Sequence, residues 1–211
     1  MTQTVVMLGA GGHAGVLREI LLEQGVQLAG YIAPAEQSGA LGGASWLGAD
    51  DALDTLDAAS ITLVNGLGLA KASPLRREVF ARAKALGFGF RTVVDATAVV
   101  KASATLGEGA QVLAGAIVGT DASIGDNTIV NSGAIVDHDC RVGAHSHVAT
   151  GAALAGSVTV GESSHIGLGA RVIQGITIGS GSTIGAGSVV ISDVADTTTV
   201  VGVPAVDRSS L

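Results

Sequence analysis

The sequence predicts a small parallel α/β domain followed by a parallel β-helix. Three observations carry that prediction. Aliphatic residues recur at every sixth position through the second half of the chain, glycine is abundant while aromatic residues are scarce, and the chain opens on a strand-like run, a glycine turn and a helix-like spacing. A period of six fits neither the 3.6 of a helix nor a hairpin meander. It suits short strands joined by tight turns and wound into a solenoid.

Counting in sixes from Val100 to Val190 gives sixteen positions, and every one is Val, Ile or Leu. Two places before each stands a mostly small residue, such as Ala110, Ala134, Cys140 or Ser146, with Val158 and Ile176 as larger exceptions. Three places after each, turn formers dominate, among them Gly109, Asp121, Asn127, Gly133, Asp139 and Gly151. The aliphatic phase points into a prism and the small residue shares that interior. Each buried aliphatic contributes roughly 1.5–3 kcal/mol relative to exposure. Pairs such as Leu106-Gly107, Ile124-Gly125, Val160-Gly161 and Ile178-Gly179 punctuate the register.

Composition fits such an interior. Glycine accounts for 32 of 211 residues, about twice the usual ~7%, and three Phe, one Trp and one Tyr are the whole aromatic complement. The core is therefore aliphatic and alanine-rich. Charged residues make up 14% and hydrophobic residues 47%, the reverse of the balance that disorder requires. A net charge of −7 leaves no general basic field to gather nucleic-acid phosphates. Two uncharged stretches, 142–161 and 172–192, have the length of membrane spans, yet their Ser, Thr, His and Gly content and their hexad register assign them to the solenoid. The single Cys140 has no partner for an internal disulfide, and residues 1–3 lead into a strand-like run without a charged-then-apolar signal segment. A cytoplasmic protein is expected, without membrane insertion or a nucleic-acid partner.

In the first half, residues 4–8 form a β-branched and aliphatic strand, residues 9–15 a glycine turn, and Val16, Leu17, Ile20 and Leu21 recur at helical spacing. Residues 26–32 and 61–64 are further strands. Ser73-Pro74 is an N-cap and first-turn pair for a helix through about Leu86, and residues 88–94 supply a fourth strand. This order predicts a small parallel sheet with flanking helices. The expected divisions are 1–96, 97–200 and a C-terminal tail, 201–211. A glycine turn of this kind lets a helix N-terminus offer N–H groups to an anion, and it serves equally as a tight connection with no ligand. A dinucleotide is disfavoured, because the second strand ends in Tyr31-Ile32-Ala33-Pro34 without an acidic residue to hold a ribose. A mononucleotide or sugar nucleotide stays open.

Four segments together resemble one family over essentially the whole chain: residues 9–15, residues 131–140 (NSGAIVDHDC), residues 147–152 (HVATGA) and the closing residues 201–205 (VGVPA). They are similar to the NeuD/PglD-like sugar acyltransferases of bacterial cell-surface glycan synthesis. The resemblance implies a Rossmann-like small parallel sheet that binds the acceptor, then a left-handed parallel β-helix of hexapeptide repeats with three hexads per coil. It implies acetyl transfer from acetyl-CoA, as co-substrate and without a metal, to an amino group on a nucleotide-linked deoxysugar, or in other branches to sialic acid hydroxyls.

Residue by residue, the family's general base falls on His138 and its carboxylate neighbour on Asp139. The Asn and second His near the thioester fall on Asn131 and His147. The glycine-loop His that approaches the nucleotide falls on His13, with Gly9, Gly11 and Gly12 around it. The coenzyme's arm is expected along the prism toward its C-terminal coils, with turn amides near Gly156, Leu168 and Ala186 as contacts. Two departures concern the acceptor: many relatives have Lys where Gly15 stands and acidic residues where Ala33 and Pro34 stand.

The residues themselves support that chemistry. Acyl transfer to an amine needs a base and donors for the oxyanion, without a covalent enzyme intermediate. Histidine titrates near 6.5, and Asp139 beside His138 is placed to hold its tautomer. Cys140 invites a rival nucleophilic thiol, but its inward phase packs the sulfur inside the prism. His145 falls in the turn phase, where a solvated side chain is expected. His165 lies eighteen residues after His147 and is expected to stack on it, which raises a zinc site of the β-helix carbonic anhydrase kind. The His-x4-His spacing of such a site is absent. A non-catalytic β-helix binding module is the third reading, although a purely structural prism needs no Asn, His and Asp at these outward positions.

With three hexads per coil, His147 stands half a coil after His138, and Asn131 stands sixteen residues before His147, almost one full coil. The first pair projects from opposite parts of one prism; the second pair shares an edge. A site using all of them needs two chains. The expectation is a homotrimer in which one subunit gives Asn131 and His147, the next gives His138 and Asp139, and acetyl-CoA lies between them.

Overall fold

Apolar runs become central strands, and the hexads become rungs. A computed structural model describes residues 4–37, 39–69 and 74–210, and the chain divides between Val93 and Val94 into two units. The boundary expected at Ala96 lies three residues downstream.

The first unit contains β1 (Thr4–Leu8), α1 (Gly12–Glu23), β2 (Leu28–Ile32), β3 (Trp46–Gly48), β4 (Ile61–Asn65), α2 (Leu75–Ala85) and β5 (Gly89–Phe90). They form one sheet in the order β3-β2-β1-β4-β5, parallel throughout. β1 is central, so Val5, Val6, Met7 and Leu8 are all buried, as an unbroken apolar run in a covered parallel sheet requires. Helix α1 buries Ala14, Leu17, Ile20 and Leu21, close to the face its spacing predicts, with Val16 exposed.

Two expectations need correction here, and one strand was not expected at all. The run 88–94 is not one strand: Gly89–Phe90 joins this sheet, whereas Val93–Val94 starts the β-helix. Val94 falls six residues before Val100, so the hexad phase claims it. The edge strand β3 escaped notice because a three-residue Trp-Leu-Gly segment carries no alternation to detect. Strand β2 also begins two residues later than expected, at Leu28. Pro74 occupies the N-cap of α2, and Ser73 lies outside the described residues.

In the second unit two-residue strands stack into three parallel sheets. The first face runs from Val93–Val94 through Gln111–Val112, Ile129–Val130, His147–Val148 and His165–Ile166 to Thr183–Ile184 and Thr199–Val201. The second face runs from Val99–Val100 through Ile117–Val118, Ile135–Val136, Ala153–Leu154 and Arg171–Val172 to Val189–Val190. The third runs from Thr105–Leu106 through Ser123–Ile124, Arg141–Val142 and Thr159–Val160 to Thr177–Ile178. Paired residues such as Ile117 and Ile135 are eighteen apart, one coil of three hexads. In each rung the second residue points inward, and these aliphatics form a single core with the small residues two places before them.

Every turn-phase residue from Gly109 to Gly187 has positive φ, including Asp121, Asn127, Asp139, His145, Ser157 and Ser163. The glycines that follow the inward aliphatics have a different cause. A Cβ on Gly143 would stand 2.6 Å from the backbone N of Glu162 in the next coil, and Gly125 and Gly161 meet the same obstruction. No side chain fits there without parting the coils.

Along one edge the small inward positions carry hydroxyls. Thr128, Ser146, Ser164 and Ser182 each donate to a carbonyl of the next coil, at Gly143, Gly161, Gly179 and Ala195. Each also accepts the backbone N–H of the residue above it in the column. The register contracts at the end: Ile178 pairs with Val194 and Ile184 with Val200, sixteen residues apart. Residues expected as a tail continue the fold, since strand Thr199–Val201 pairs antiparallel with Val206–Asp207. Among the described residues no helix is long and apolar enough to cross a membrane; the stretches 142–161 and 172–192 are coils of the prism.

Candidate active site

His138 stands at the edge where the second face turns into the third, between strands Ile135–Val136 and Arg141–Val142. Asp139 follows it in the left-handed turn position, with φ of 59°, a conformation Asp tolerates well. That turn brings the two side chains together: the Asp139 Oδ2 accepts from His138 Nδ1 at 2.8 Å. A proton held on Nδ1 leaves the lone pair on Nε2, and Nε2 has no hydrogen-bond partner among the described residues. Both side chains are exposed. The hydrogen bond to Asp139, with the charge of Asp137 adding to it, raises the His138 pKa above its ordinary 6.5. Asp137 also accepts the His138 backbone N–H at 2.7 Å.

The coils on either side fit around this residue. A Cβ on Gly119 would stand 2.7 Å from the His138 backbone N, and a Cβ on Gly156, one coil further on, would collide with the imidazole itself. The backbone N–H of Gly156 has no partner among the described residues.

Asn131 and His147 meet at a different edge. Asn131 follows strand Ile129–Val130 and His147 starts the rung paired with it, which is why a spacing of sixteen rather than eighteen brings their side chains together. The Asn131 Oδ1 accepts the Ser132 N–H at 2.8 Å, and this fixes the amide's orientation. Its Nδ2 therefore donates, and His147 Nε2, 3.0 Å away, accepts. An imidazole accepting at Nε2 carries its proton on Nδ1, so His147 is neutral here with its basic nitrogen engaged. His138 presents the opposite arrangement, with Nε2 open.

His165 stacks on His147 as its spacing requires, with ring centroids 5.0 Å apart and edge to face. Burial pushes its pKa down. Among the described residues no group of three or more His, Cys, Asp or Glu is placed to hold a metal ion. Cys140 is fully buried in the core, its Sγ donates to the Ala155 carbonyl, and burial pushes its pKa up. These features belong to a packed thiol and not to a nucleophile. The expectation of a solvated His145 needs correction: its Nδ1 accepts from Asn127 Nδ2 at 3.1 Å.

The expected coenzyme contacts separate onto two edges. Gly156 shares the edge of His138, whereas Leu168 and Ala186 lie eighteen residues apart on the edge of Asn131, and both are exposed. Asp137 is the residue that motif reading passed over, although its position next to His138 was signal enough.

In the first unit the glycine turn leaves β1 at Gly9, which has φ of +87°. Gly11 is the N-cap of α1, without a side-chain cap, and no acidic residue lies in the first turn. The helix dipole and the N–H groups of the first turn thus face the side from which an anion would approach. His13 lies beside Gly68 of the loop after β4, where a Cβ would come within 3.2 Å of the histidine's own. The strand order reverses between β1 and β4, which opens a crevice at the carboxyl ends of the strands. A small cleft of about 80 Å³ occupies it. Gly15 is exposed with open space around it, and Ala33 and Pro34 line the cleft where the family's acidic residues are expected.

Known structures share this architecture. The chain is 40% identical to PerB from Caulobacter crescentus, solved with CoA and GDP-perosamine, over 99% of this chain and 98% of that one, with a TM-score of 0.89. It is 34% identical to the acetyltransferase domain of PglB from Neisseria gonorrhoeae, solved with acetyl coenzyme A, over 98% of this chain and all of that one, with a TM-score of 0.89. WeeI from Acinetobacter baumannii, 24% identical with a TM-score of 0.87 and 98% of this chain covered, shares the fold. No protein-family model and no curated protein matches the sequence.

Proposed function

The chain belongs to the NeuD/PglD-like sugar acyltransferases, and on that premise we propose that it moves acetyl from acetyl-CoA to the amino group of a nucleotide-activated amino-deoxysugar. The observation that carries this reading is the His138–Asp139 pair, with Nδ1 bound at 2.8 Å and Nε2 open. The likeness to PerB, a GDP-perosamine N-acetyltransferase, supports an amine over the sialic acid hydroxyl that the resemblance also allows.

In the proposed reaction the acceptor amine attacks the thioester carbonyl, and His138 Nε2 takes the proton that the nitrogen sheds. Asp139 holds the resulting imidazolium, as a buried carboxylate does in a hydrolytic triad. Charge gathers on the former carbonyl oxygen, and a free backbone N–H is the donor it needs; that of Gly156 stands ready one coil above the base. The tetrahedral adduct then collapses, the carbon–sulfur bond breaks, and the CoA thiolate takes up a proton. His147 is not the base, because its Nε2 already accepts from Asn131. It is suited instead to contact the thioester end of the coenzyme with Asn131.

The division of labour follows the two units. The β-helix carries base and coenzyme, with Leu168 and Ala186 along the pantetheine arm. The first unit holds the nucleotide sugar, with its phosphates at Gly9, Gly11, Gly12 and His13.

A homotrimer is part of the reading. The second face exposes Val99, Ile117 and Ile135 in one column, an apolar strip suited to cover by other copies. Asn131 borders this face on one edge and His138 on the other. When three prisms turn this face toward a common axis, each seam sets the Asn131 edge of one copy against the His138 edge of the next. Sites then form between subunits. A cytoplasmic setting fits the lone cysteine, which has no second cysteine to pair with.

The test is thiol release from acetyl-CoA over a panel of nucleotide amino sugars and free sialic acids. Turnover with an amino sugar, falling about 10²–10⁴-fold in His138→Ala, is the expected result. Turnover only with a hydroxyl acceptor, or none that depends on His138, overturns it.

A further inference from the structure

Among the described residues that line the cleft at the carboxyl ends of the strands, one carries a charged side chain, Asp50. The walls are aliphatic: Leu8 and Ile32 at the strand ends, Leu53 on the short helix Asp50–Asp54, Leu67 after β4, and Val79 on α2. The wall after β4 is held in place from below. The buried guanidinium of Arg76 donates through Nη1 to the carbonyls of Asn65 and Leu67, at 2.8 and 2.6 Å.

Asp50 starts the helix that follows the edge strand β3, two strands away from the glycine turn on β1. Strands lie about 4.8 Å apart, so a nucleotide with its diphosphate at that turn spans β2 with its ribose and reaches β3 with its base. The Asp50 carboxylate is exposed and has no hydrogen-bond partner among the described residues. A flat ring between aliphatic walls, met at its rim by a free carboxylate, is a nucleobase site read on its donor edge.

We propose that Asp50 selects guanine, so that the acceptor is a guanosine-diphosphate-linked amino sugar. A carboxylate accepts two parallel N–H bonds at once, and among the common bases guanine alone offers two adjacent donors, N1–H and the exocyclic amine. Uracil and thymine present one N–H between two carbonyls that repel a carboxylate. Adenine and cytosine set their amine beside a ring nitrogen that is itself an acceptor. The loss of acids at Ala33 and Pro34 fits this assignment, since the discriminating carboxylate stands one strand further out. The inference rests on the nucleotide-sugar reading and adds the base to it.

Calorimetric titration of the full chain with GDP, IDP, UDP and ADP, without sugar or coenzyme, tests it. GDP is expected to bind about 10-fold or more tightly than UDP or ADP, and IDP, which lacks the exocyclic amine, about 10-fold more weakly than GDP. In Asp50→Asn the GDP-to-IDP ratio falls toward one while UDP affinity and the melting temperature hold. UDP or ADP binding as well as GDP overturns the proposal, as does no GDP binding. A uniform loss for every nucleotide in Asp50→Asn also overturns it, because that makes Asp50 a ribose ligand. The outcome is separable from the transferase reading: selective GDP binding without acetyl transfer to any amino sugar leaves the base assignment standing and removes the reaction. Asp50-independent turnover of a uridine-diphosphate amino sugar does the reverse.

Discussion

The imidazole of His138 occupies the space that a Cβ on Gly156 would fill. The two residues are one coil apart in the stack, so the glycine sets how the ring lies and, by the same closeness, offers its backbone N–H beside it. Gly156→Ala forces the ring aside without straining the fold, because φ at Gly156 is not positive and the histidine is exposed. The expected result is a loss of about 10²-fold in kcat, the scale of a misplacement near 1 Å, with an unchanged melting temperature. A variant that keeps full kcat would show that the ring's place is not set here.

The pH profile follows from the raised pKa of His138, whose first cause is the hydrogen bond to Asp139 and whose second is the charge of Asp137. A base works only when deprotonated, so kcat/KM falls as pH drops through that pKa, and the acid limb lies above 6.5. Removing either anion moves the limb to lower pH. Asp137→Asn is expected to move it with little loss of plateau rate, since Asp137 does not touch the ring's nitrogens. Asp139→Asn moves it further and also lowers the plateau, by up to about 10⁴-fold, because the tautomer is no longer held. A limb that stays in place in both variants removes His138 as the titrating base.

The hexad frame was legible because each inward aliphatic is buried for the same reason, and a repeated cause leaves a repeated mark. Where the cause changes, the reading stops. The contraction that pairs Ile184 with Val200 at sixteen residues leaves no trace in a count by sixes, nor does the short β3. In the site, His138 and Asp139 are legible as chain neighbours. Gly156 is legible only through the coil length, and Asn131 with His147 only as a near miss of it. Asp50 was invisible, because its role depends on a cleft walled by β1, β2, β4 and α2 together. The His145 partner was missed for a related cause: Asn127 stands directly below it in the turn column, and both are in left-handed turns.

Stability draws on the hydroxyl column as well as the aliphatic core. Ser164 Oγ donates to the Gly179 carbonyl at 2.9 Å and accepts the Ser182 N–H at 3.2 Å. Ser164→Ala leaves that N–H buried without its acceptor, at a cost of about 1–3 kcal/mol. Ser164→Thr keeps the hydroxyl, and Thr128 shows that the column accepts a threonine. Thermal unfolding at fixed protein concentration is expected to show a lowered midpoint for the alanine variant and little change for the threonine variant. Equal effects from both would assign the position to packing alone.

The proposed sharing of sites between copies has its own signature. In one chain His138 and His147 lie on different parts of the prism: His138 at the edge between the second and third faces, His147 on the first. On that proposal His138→Ala removes the base from every site and His147→Ala a coenzyme contact, so each variant alone is expected to be impaired. When the two variants are unfolded together and refolded, some seams combine an intact His138 from one chain with an intact His147 from the next. Activity is then expected to return to a fraction of the unmixed protein, in proportion to those seams. If each chain held a whole site, every site in the mixture would still lack one histidine and no activity would return. Hetero-oligomers verified by tagged copurification and still inactive would therefore place both histidines in one chain's site and remove the seam from the mechanism.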